Sequence, residues 1–229
     1  MTEPRARPTW RQRFVRAVWA THNDSPAVRR ALAEVVASAG SGAAGLNVGS
    51  GDTRIGPGFV AVDVARTPST DVLADARALP FASRAFGVVV SQEMVEHVDD
   101  PFAAVREMAR VLAPGGWLYL QAPFVIGYHP GPEDYWRFTR AGMMRLLTQA
   151  GLDPTRVDRS VAAGTGFYRI LVEFTAGAAA RLAPALYLPA KGLASLLCFP
   201  LKWLDPVLNR GPQADRIAGG YFAIGRKPL

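Results

Sequence analysis

The segment LNVGSGD, residues 46 to 52, is a short apolar run that ends in two glycines one residue apart. No helix-forming residue stands among Gly49, Ser50 and Gly51, so the run predicts a buried strand that enters a tight loop. Glycines at such positions let the backbone approach a ligand closely. The loop therefore marks a candidate ligand site.

Strand-like and helix-like segments alternate from residue 45 onward. Apolar runs predict strands at residues 45–48, 59–63, 72–74, 86–91 and 117–123. Helices are predicted after Asp100-Pro101, ending before the stop at 113–116, and over residues 139–150. Strands interleaved with helices predict an α/β fold with an open, mostly parallel sheet. In such sheets ligands bind beyond the carboxyl ends of the strands.

Composition divides the chain into four parts. Residues 1–44 form an N-terminal helical extension, with a basic amphipathic helix near residues 10–18 and a second helix from Pro26 to Ser38. Residues 45–163 form the predicted core. Residues 164–219 are an apolar insertion rich in Leu, Ala and Pro, and residues 220–229 are the final strand of the core.

The net charge of +7 belongs to the two ends of the chain. Residues 1–40 carry seven arginines against three acids, whereas residues 41–160 carry eleven arginines against thirteen acids. This distribution argues against a core that grips a polyanion, so a nucleic-acid partner is not favoured. The single cysteine, Cys198, excludes an intrachain disulfide, and no secretory signal is visible. We expect a cytoplasmic protein.

Phosphate-binding loops do not fit the glycine segment. A dinucleotide fingerprint needs a third glycine where Arg54 stands and an acid about 20 residues further on, but Asp63 comes too early. No lysine followed by Ser or Thr completes a Walker loop. A carboxylate at Asp63 can accept hydrogen bonds from both ribose hydroxyls, and one at Asp75, or at Asp71 in a shifted register, can bind an adenine amino group. The pattern predicts an adenosine ligand without phosphates.

The segments LNVGSG, VDV, DARALPF, FGVVVSQEMVEHVDDP and REMARVLAPGGWLYLQAPF occur in that order. Together they resemble the motif series of class I S-adenosylmethionine-dependent methyltransferases. The later segment HPGPEDYWRFTRAGMMRLLTQAGL is similar to a bacterial subgroup with a DYWRFT signature, whose members often accompany surface-glycan synthesis. The resemblance covers residues 45–151 and the last strand. It implies a Rossmann-like sheet with helices on both faces and S-adenosyl-L-methionine as cofactor.

The resemblance also implies roles for single residues. Gly49 and Gly51 would lie against the methionine part of the cofactor, and Asp63 would hold the ribose. The remaining residues of the implied cofactor site are Asn47, Ser50, Val64, Asp75, Ala76, Leu79 and Ser91. Asp75 and the Ala76 backbone would bind adenine, against which Leu79 would pack. Two features depart from the family: Asn47 replaces the usual acid, and only seven residues separate the loop from the second strand, so the usual first helix is missing or reduced to a turn.

The acceptor site is expected after the fifth predicted strand. His129 is the candidate general base, with Asp134 as the catalytic acid that orients it. Tyr135, Trp136 and Arg137 are the candidate substrate-binding residues, although Trp136 could instead belong to the core and Arg137 could pair with Asp134. His97 is either structural or functional. No metal-ligand spacing stands out, so no metal is expected, while His129 with its neighbouring acids leaves that question open.

These features predict a methyltransferase acting on a small-molecule or glycan acceptor, including a lipid-linked one, by O-methylation. An RNA methyltransferase and a noncatalytic adaptor on the same fold are the alternatives. The apolar stretches of the insertion are shorter than the roughly 20 residues that span a bilayer. Residues 167–209 either contact the membrane surface peripherally or serve as a lid or a homodimer surface.

Overall fold

The computed structural model describes residues 23–38, 40 and 42–229 of the chain. The basic amphipathic helix expected near residues 10–18 lies outside them. The second expected helix is present as α1, Pro26–Ser38, and Ser25 caps it because its Oγ accepts a hydrogen bond from the Val28 N–H at 3.3 Å.

Seven strands form one sheet in the order β3-β2-β1-β4-β5-β7-β6. Their bounds are β1 Gly45–Val48, β2 Phe59–Asp63, β3 Val72–Leu73, β4 Phe86–Gln92, β5 Leu112–Pro123, β6 Asp153–Val161 and β7 Gly220–Arg226. The strands β1 to β5 pair in parallel, whereas β7 runs antiparallel to both β5 and β6. The predicted open, mostly parallel sheet is confirmed.

Helices cover both faces of the sheet. The helices that follow α1 are α2 Pro101–Val111, α3 Arg140–Gln149, α4 Ala163–Ala180, α5 Tyr187–Leu197 and α6 Asp205–Leu208. Successive residues of a strand point to opposite faces, so Tyr119 of β5 packs with α1 while its neighbours Leu118 and Leu120 pack with α2 and α3. Each face of the central strands is therefore buried under helices.

The sequence predicted one connection of the sheet correctly and missed parts of two strands. The link from β1 to β2 contains no helix, as its shortness predicted, and its turn stays close to the end of β2. Strand β6 was not predicted, because DPTRVDRSV lacks a continuous apolar run and lies at the sheet edge with several exposed residues. Strand β5 begins five residues before the expected run, since Leu112 already pairs with Phe86.

The predicted apolar insertion forms helices between β6 and β7. Helix α4 packs against α5 through Tyr168, Val172 and Ala194. The Asp205 carboxylate ties the start of α4 to α6, because it accepts hydrogen bonds from the Thr165 N–H and Oγ1 at 3.0 and 2.5 Å. Among the described residues no single helix meets the length and hydropathy needed for a membrane span, although the bent pair Pro184–Leu197 and Phe199–Leu208 meets them together.

We predict that Lys227→Met lowers the free energy of unfolding by about 1–2 kcal/mol. The Lys227 Nζ donates hydrogen bonds to the carbonyl oxygens of Ala109 and Leu112 at 2.6 and 2.7 Å, where α2 ends and β5 begins. Methionine keeps the aliphatic stem but leaves these carbonyls without the donor. Urea denaturation measures the effect, with the exposed Arg30→Met on α1 as the control. Equal losses in the two variants would contradict this assignment.

Candidate functional site

A cavity of about 460 Å³ lies at the carboxyl ends of the first four strands. Of the residues expected to contact a cofactor, those that line it are Gly49, Gly51, Asp63, Val64, Asp75 and Ala76. The parallel pairing of β1 with β2 and β4 brings these strand ends to one edge of the sheet. These residues therefore lie together at the edge where the sequence analysis expects a ligand, and their role in binding stays a prediction.

The glycine loop closes tightly over the end of β2. The N–H groups of Gly49 and Ser50 donate to the Val62 carbonyl at 2.9 and 3.0 Å. Gly49 has a φ of +70°, and a Cβ there would collide with the Met94 side chain. Gly51 has a φ of +48°. Both positions therefore require glycine for conformation, and Gly49 requires it for space as well.

Asp63 joins this loop to the second strand. Its Oδ2 accepts a hydrogen bond from the Gly51 N–H at 2.8 Å, and its Oδ1 accepts one from the Ala65 N–H at 2.9 Å. A carboxylate has about four acceptor sites, so two remain for a ligand in the cavity. The two backbone bonds fix the direction in which those sites point.

Asp75 faces the same cavity but is already engaged by Arg77. The Arg77 Nη2 lies 2.6 Å from Asp75 Oδ2, and Arg77 also contacts Asp99. These hydrogen bonds hold the pKa of Asp75 below its usual value. The alternative residue, Asp71, instead pairs with Arg54 at 2.9 Å and accepts from the Ala61 N–H, outside the cavity. The structure thus favours Asp75 over Asp71 as the cavity-facing acid.

Four residues expected to contact the cofactor do not line the cavity: Asn47, Ser50, Leu79 and Ser91. All four are buried. Asn47 uses its Nδ2 to hold the loop through the Thr53 carbonyl at 3.1 Å, and Leu79 belongs to the core beneath α2. We correct the expectation for these side chains, because their strand and loop positions turn them toward the protein interior.

A second cavity, of about 280 Å³, lies between the loop after β5 and the helices α4 and α5. His129 lines it on the loop side, and Arg169, Glu173, Lys191 and Ser195 line it on the helix side. Lys191 pairs with Glu173 at 2.5 Å. Burial lowers the pKa of Arg169, so its charge lacks full solvation. The second cavity is therefore polar and carries a desolvated cation.

Asp134 and Arg137 form an ion pair, called the staple below, that holds the loop from 127 to 137. The Asp134 side chain is 1% exposed, and its oxygens lie 2.5 and 2.6 Å from the two Arg137 Nη atoms. Arg137 also donates to the Gly127 carbonyl at 2.8 Å. These bonds lower the pKa of Asp134 to about 2. Asp134 also contacts His129, which it was expected to orient, by accepting a hydrogen bond from the His129 N–H at 2.9 Å, and the expected alternative that Arg137 pairs with Asp134 is found. The catalytic role of Asp134 and the substrate-binding role of Arg137 stay predictions.

Of the two aromatic candidates, one lines the first cavity and the other packs against the protein core. Tyr135 is 53% exposed and lines the first cavity. The Trp136 Nε1 donates to the Val98 carbonyl at 3.0 Å, and its ring stacks on the core residue Phe138. Trp136 does not line either cavity described above. Of the two, Tyr135 is the residue placed to contact a ligand.

Two acids that the sequence reasoning did not single out stand next to this loop. Glu93 follows β4 with a φ of 52°, an uncommon conformation for a non-glycine residue, and accepts hydrogen bonds from Asn23 and Gln121 at 2.7 and 3.1 Å. Burial and the nearby Glu96 raise its pKa to about 7. Glu96 is fully buried. The signal was present in the sequence, since EMVEH places two acids and a histidine directly after a strand end.

Glu96 connects the two cavities through a pair of histidines. Its Oε1 lies 3.7 Å from the Nε2 of His97, which lines the first cavity, and 3.7 Å from the Nε2 of His129, which lines the second. The two imidazole rings meet edge to face at 5.1 Å. Glu96 raises the pKa of His129, because a carboxylate favours the charged imidazole. This group therefore lies at the boundary between the two cavities.

Residues 53–120 match a protein-family model described as a methyltransferase domain. A segment of this chain is 33% identical in sequence to a ubiquinone biosynthesis O-methyltransferase of Nitrosospira multiformis. The match covers 31% of this chain and 37% of that relative, which is well under half of its length.

Solved structures resemble the chain over nearly its whole length. A structure described as a putative sarcosine dimethylglycine methyltransferase from Galdieria sulphuraria has a TM-score of 0.55 and 16% identity, covering 94% of this chain and 97% of its own. The structure of Haemonchus contortus phosphoethanolamine N-methyltransferase 2 in complex with S-adenosyl-L-methionine has a TM-score of 0.51 and 15% identity. The match covers 98% of this chain and 59% of that protein. The fold is the Rossmann-like class I methyltransferase fold.

We predict that Asp134→Asn lowers the free energy of unfolding by about 2–3 kcal/mol, less than the roughly 3–5 kcal/mol of a fully buried pair. We expect less than the full loss because the Arg137 side chain is 26% exposed, so water can partly solvate its charge. Urea denaturation measures the change. The exposed neighbour Glu133→Gln is the control, because its side chain lies outside the ion pair. A smaller loss for Asp134→Asn than for the control would show that the staple does not stabilise the loop.

Proposed function

We propose that this chain transfers a methyl group from S-adenosyl-L-methionine to a hydroxyl of a small-molecule or glycan acceptor. The observation that carries the proposal is the convergence of Gly49, Gly51 and Asp63 on one cavity at the strand ends. Its volume of about 460 Å³ lies in the usual range for small-ligand sites. Support also comes from the family match over residues 53–120.

The residues present fit an adenosine-containing cofactor. Asp63 would bind the ribose hydroxyls with the two acceptor sites that its backbone bonds leave over. The glycine loop leaves open space beside Gly51, where a Cβ would meet no atom within 4 Å. Asp75 would share its carboxylate between Arg77 and the adenine edge. When bound, S-adenosyl-L-methionine supplies a methyl group on a positively charged sulfur.

The second cavity would hold the acceptor. Since Lys191 already pairs with Glu173, Arg169 is the side chain that would favour an acceptor with a phosphate or carboxylate. His129, at the boundary of the cavities, would take the proton from the acceptor hydroxyl, and the Asp134–Arg137 pair would hold its loop in place. Alignment of that hydroxyl with the first cavity is the main contribution of the protein.

A glycan or lipid-linked acceptor is the finer form of the proposal. The ubiquinone biosynthesis O-methyltransferase to which the chain is similar has a small molecule in its name, and the DYWRFT segment is similar to a subgroup associated with surface glycans. Both are consistent with the polar second cavity and the desolvated Arg169. Within this class the acceptor would be an anionic molecule that carries a hydroxyl.

We further propose that the insertion contacts the cytoplasmic face of a membrane. Large apolar side chains of this segment are exposed, at Phe174, Leu182, Leu188, Leu197 and Trp203. Monomeric soluble proteins seldom expose so many apolar side chains in one segment, and tryptophan suits the lipid–water boundary. The helices α4 and α5, which carry Phe174, Leu188 and Leu197, also form one wall of the second cavity, so a membrane-bound acceptor would enter nearby.

Asp63→Ala tests the cofactor site. We expect calorimetry with S-adenosyl-L-methionine to show saturable binding to the wild type and at least about tenfold weaker binding to the variant, because a carboxylate contributes about 1.5–3 kcal/mol per charged hydrogen bond. Asp52→Ala, an exposed acid outside the cavity, should bind as the wild type does. No binding by the wild type, or equal binding by Asp63→Ala, would remove the proposed cofactor.

Flotation with vesicles containing about one third anionic lipid tests the membrane contact. We expect the wild type to float and a variant with Leu188, Leu197 and Trp203 all changed to Glu to partition at least about tenfold less, since each buried apolar side chain contributes about 1.5–3 kcal/mol. Leu229→Glu, at the exposed chain end, is the matched control. Unchanged flotation of the triple variant would place the lipid contact elsewhere.

A further inference from the structure

The boundary between the two cavities collects side-chain atoms that can bind a metal ion. Glu96, His97 and His129 each offer one such atom, and the three atoms lie within 4.8 Å of one another. The Glu96 side chain is fully buried, and among the described residues neither of its carboxylate oxygens has a hydrogen-bond partner. A buried carboxylate in this condition is costly, because it has lost water without gaining a donor.

The tautomer of His97 follows from its backbone contact. Its Nδ1 lies 2.6 Å from the Glu133 carbonyl oxygen, which can only accept a hydrogen bond. The Nδ1 therefore carries the hydrogen, and in the neutral ring the Nε2 directs a lone pair toward Glu96.

His129 follows the same rule. Its Nδ1 lies 3.3 Å from the Gly127 carbonyl oxygen and 3.5 Å from Asp134 Oδ2, both acceptors. The Arg137 Nη2 lies 3.4 Å from this Nδ1, but its two hydrogens point to Asp134 Oδ2 at 2.6 Å and to the Gly127 carbonyl at 2.8 Å. The neutral His129 ring thus also directs its Nε2 lone pair toward Glu96.

The unprotonated ring nitrogens of two imidazoles and a carboxylate oxygen consequently lie within 4.8 Å of one another, and among the described residues no donor reaches the Glu96 oxygens. A positive species at this point, either a proton or a metal ion, would relieve the repulsion. Two histidines with one carboxylate form the ligand set of catalytic zinc sites and of other divalent transition metals. Such histidines usually bind a carbonyl or carboxylate through the other ring nitrogen, as both do here.

The two distances to Glu96 suit a shared ion, and all three ligand atoms lie within 4.8 Å of one another. Two ligand atoms that each lie about 2.1 Å from one ion are separated by at most about 4.2 Å. The separation of Glu96 Oε1 from each Nε2 is 3.7 Å, within this limit. His97 lines the first cavity and His129 the second, so an ion held by both would face the junction of the two.

We propose that Glu96, His97 and His129 bind one divalent transition-metal ion of the zinc type, with an open coordination position for the acceptor hydroxyl. The part of this proposal that concerns the acceptor rests on the proposed methyl transfer. The three side chains would hold the ion, and the ion would supply Lewis-acid chemistry that makes an acceptor hydroxyl next to it easier to deprotonate. With the ion bound, His129 would be a ligand, and water would take the hydroxyl proton in place of the His129 base that the proposed function assigns without a metal.

Metal titration of the full chain, stripped with chelator and free of S-adenosyl-L-methionine, tests the site directly. We expect Zn²⁺ to bind with one equivalent per chain by calorimetry, and Co²⁺ to give the visible absorption of a nitrogen- and oxygen-ligated ion. Glu96→Gln and His129→Asn should each weaken binding at least tenfold, while circular dichroism shows that they remain folded. Glu133→Gln is the matched control, because only the backbone carbonyl of Glu133 contacts His97.

The outcomes separate the metal site from the proposed function. The metal site would be overturned if the wild type bound no metal, or if Glu96→Gln and His129→Asn bound it with the affinity of the wild type. A proton on the buried group would then be the positive species that relieves the repulsion. Calorimetry of the same variants with S-adenosyl-L-methionine reports independently on the cofactor cavity. Metal binding without cofactor binding would defeat the methyltransferase proposal alone, and cofactor binding without metal binding would defeat the metal site alone.

Discussion

The hydrogen bond from the Gly51 N–H to the Asp63 carboxylate is the contact on which the first cavity depends. It joins the loop after β1 to the end of β2 across 2.8 Å, in a connection too short for a helix. Gly51 has a positive φ in this tight loop, and the Ala65 N–H holds the other carboxylate oxygen. Because both partners are fixed by backbone, the remaining acceptor sites of Asp63 are oriented before any ligand binds, which reduces the ordering needed on binding.

The sequence predicted what periodicity and turn residues determine locally. The strands β1 and β2, the helix α1 and the glycine loop follow from apolar runs, a serine cap and two glycines, and Asp63 follows from its place at a strand end. Side-chain direction was harder, because a shift of one residue moves a side chain to the other face. Leu79 lies in the connection between β3 and β4, where no periodicity shows which way a side chain turns, and it is buried in the core. Strand β6 was missed because an edge strand needs little apolar character.

The site around Glu96 could not be predicted from spacing, because its members come from two distant segments. His97 and Glu96 follow β4, whereas His129 follows β5, and only the pairing of these two strands brings the segments together. The local backbone supports a functional reading, since Glu93 adopts a φ of 52° directly after β4. Strained residues and buried carboxylates concentrate at functional sites, where the surrounding structure compensates their unfavourable energy.

The two cavities divide binding between different parts of the chain. The first is built from strand ends of the core, whereas one wall of the second comes from α4 and α5 of the insertion. Changes at Arg169 or Lys191 can therefore alter the second cavity without touching Gly51 or Asp63. Glu96 is the exception, because its histidine neighbours belong to both cavities. A fold with this arrangement can keep one cofactor while its acceptor changes, provided that the junction still aligns the two.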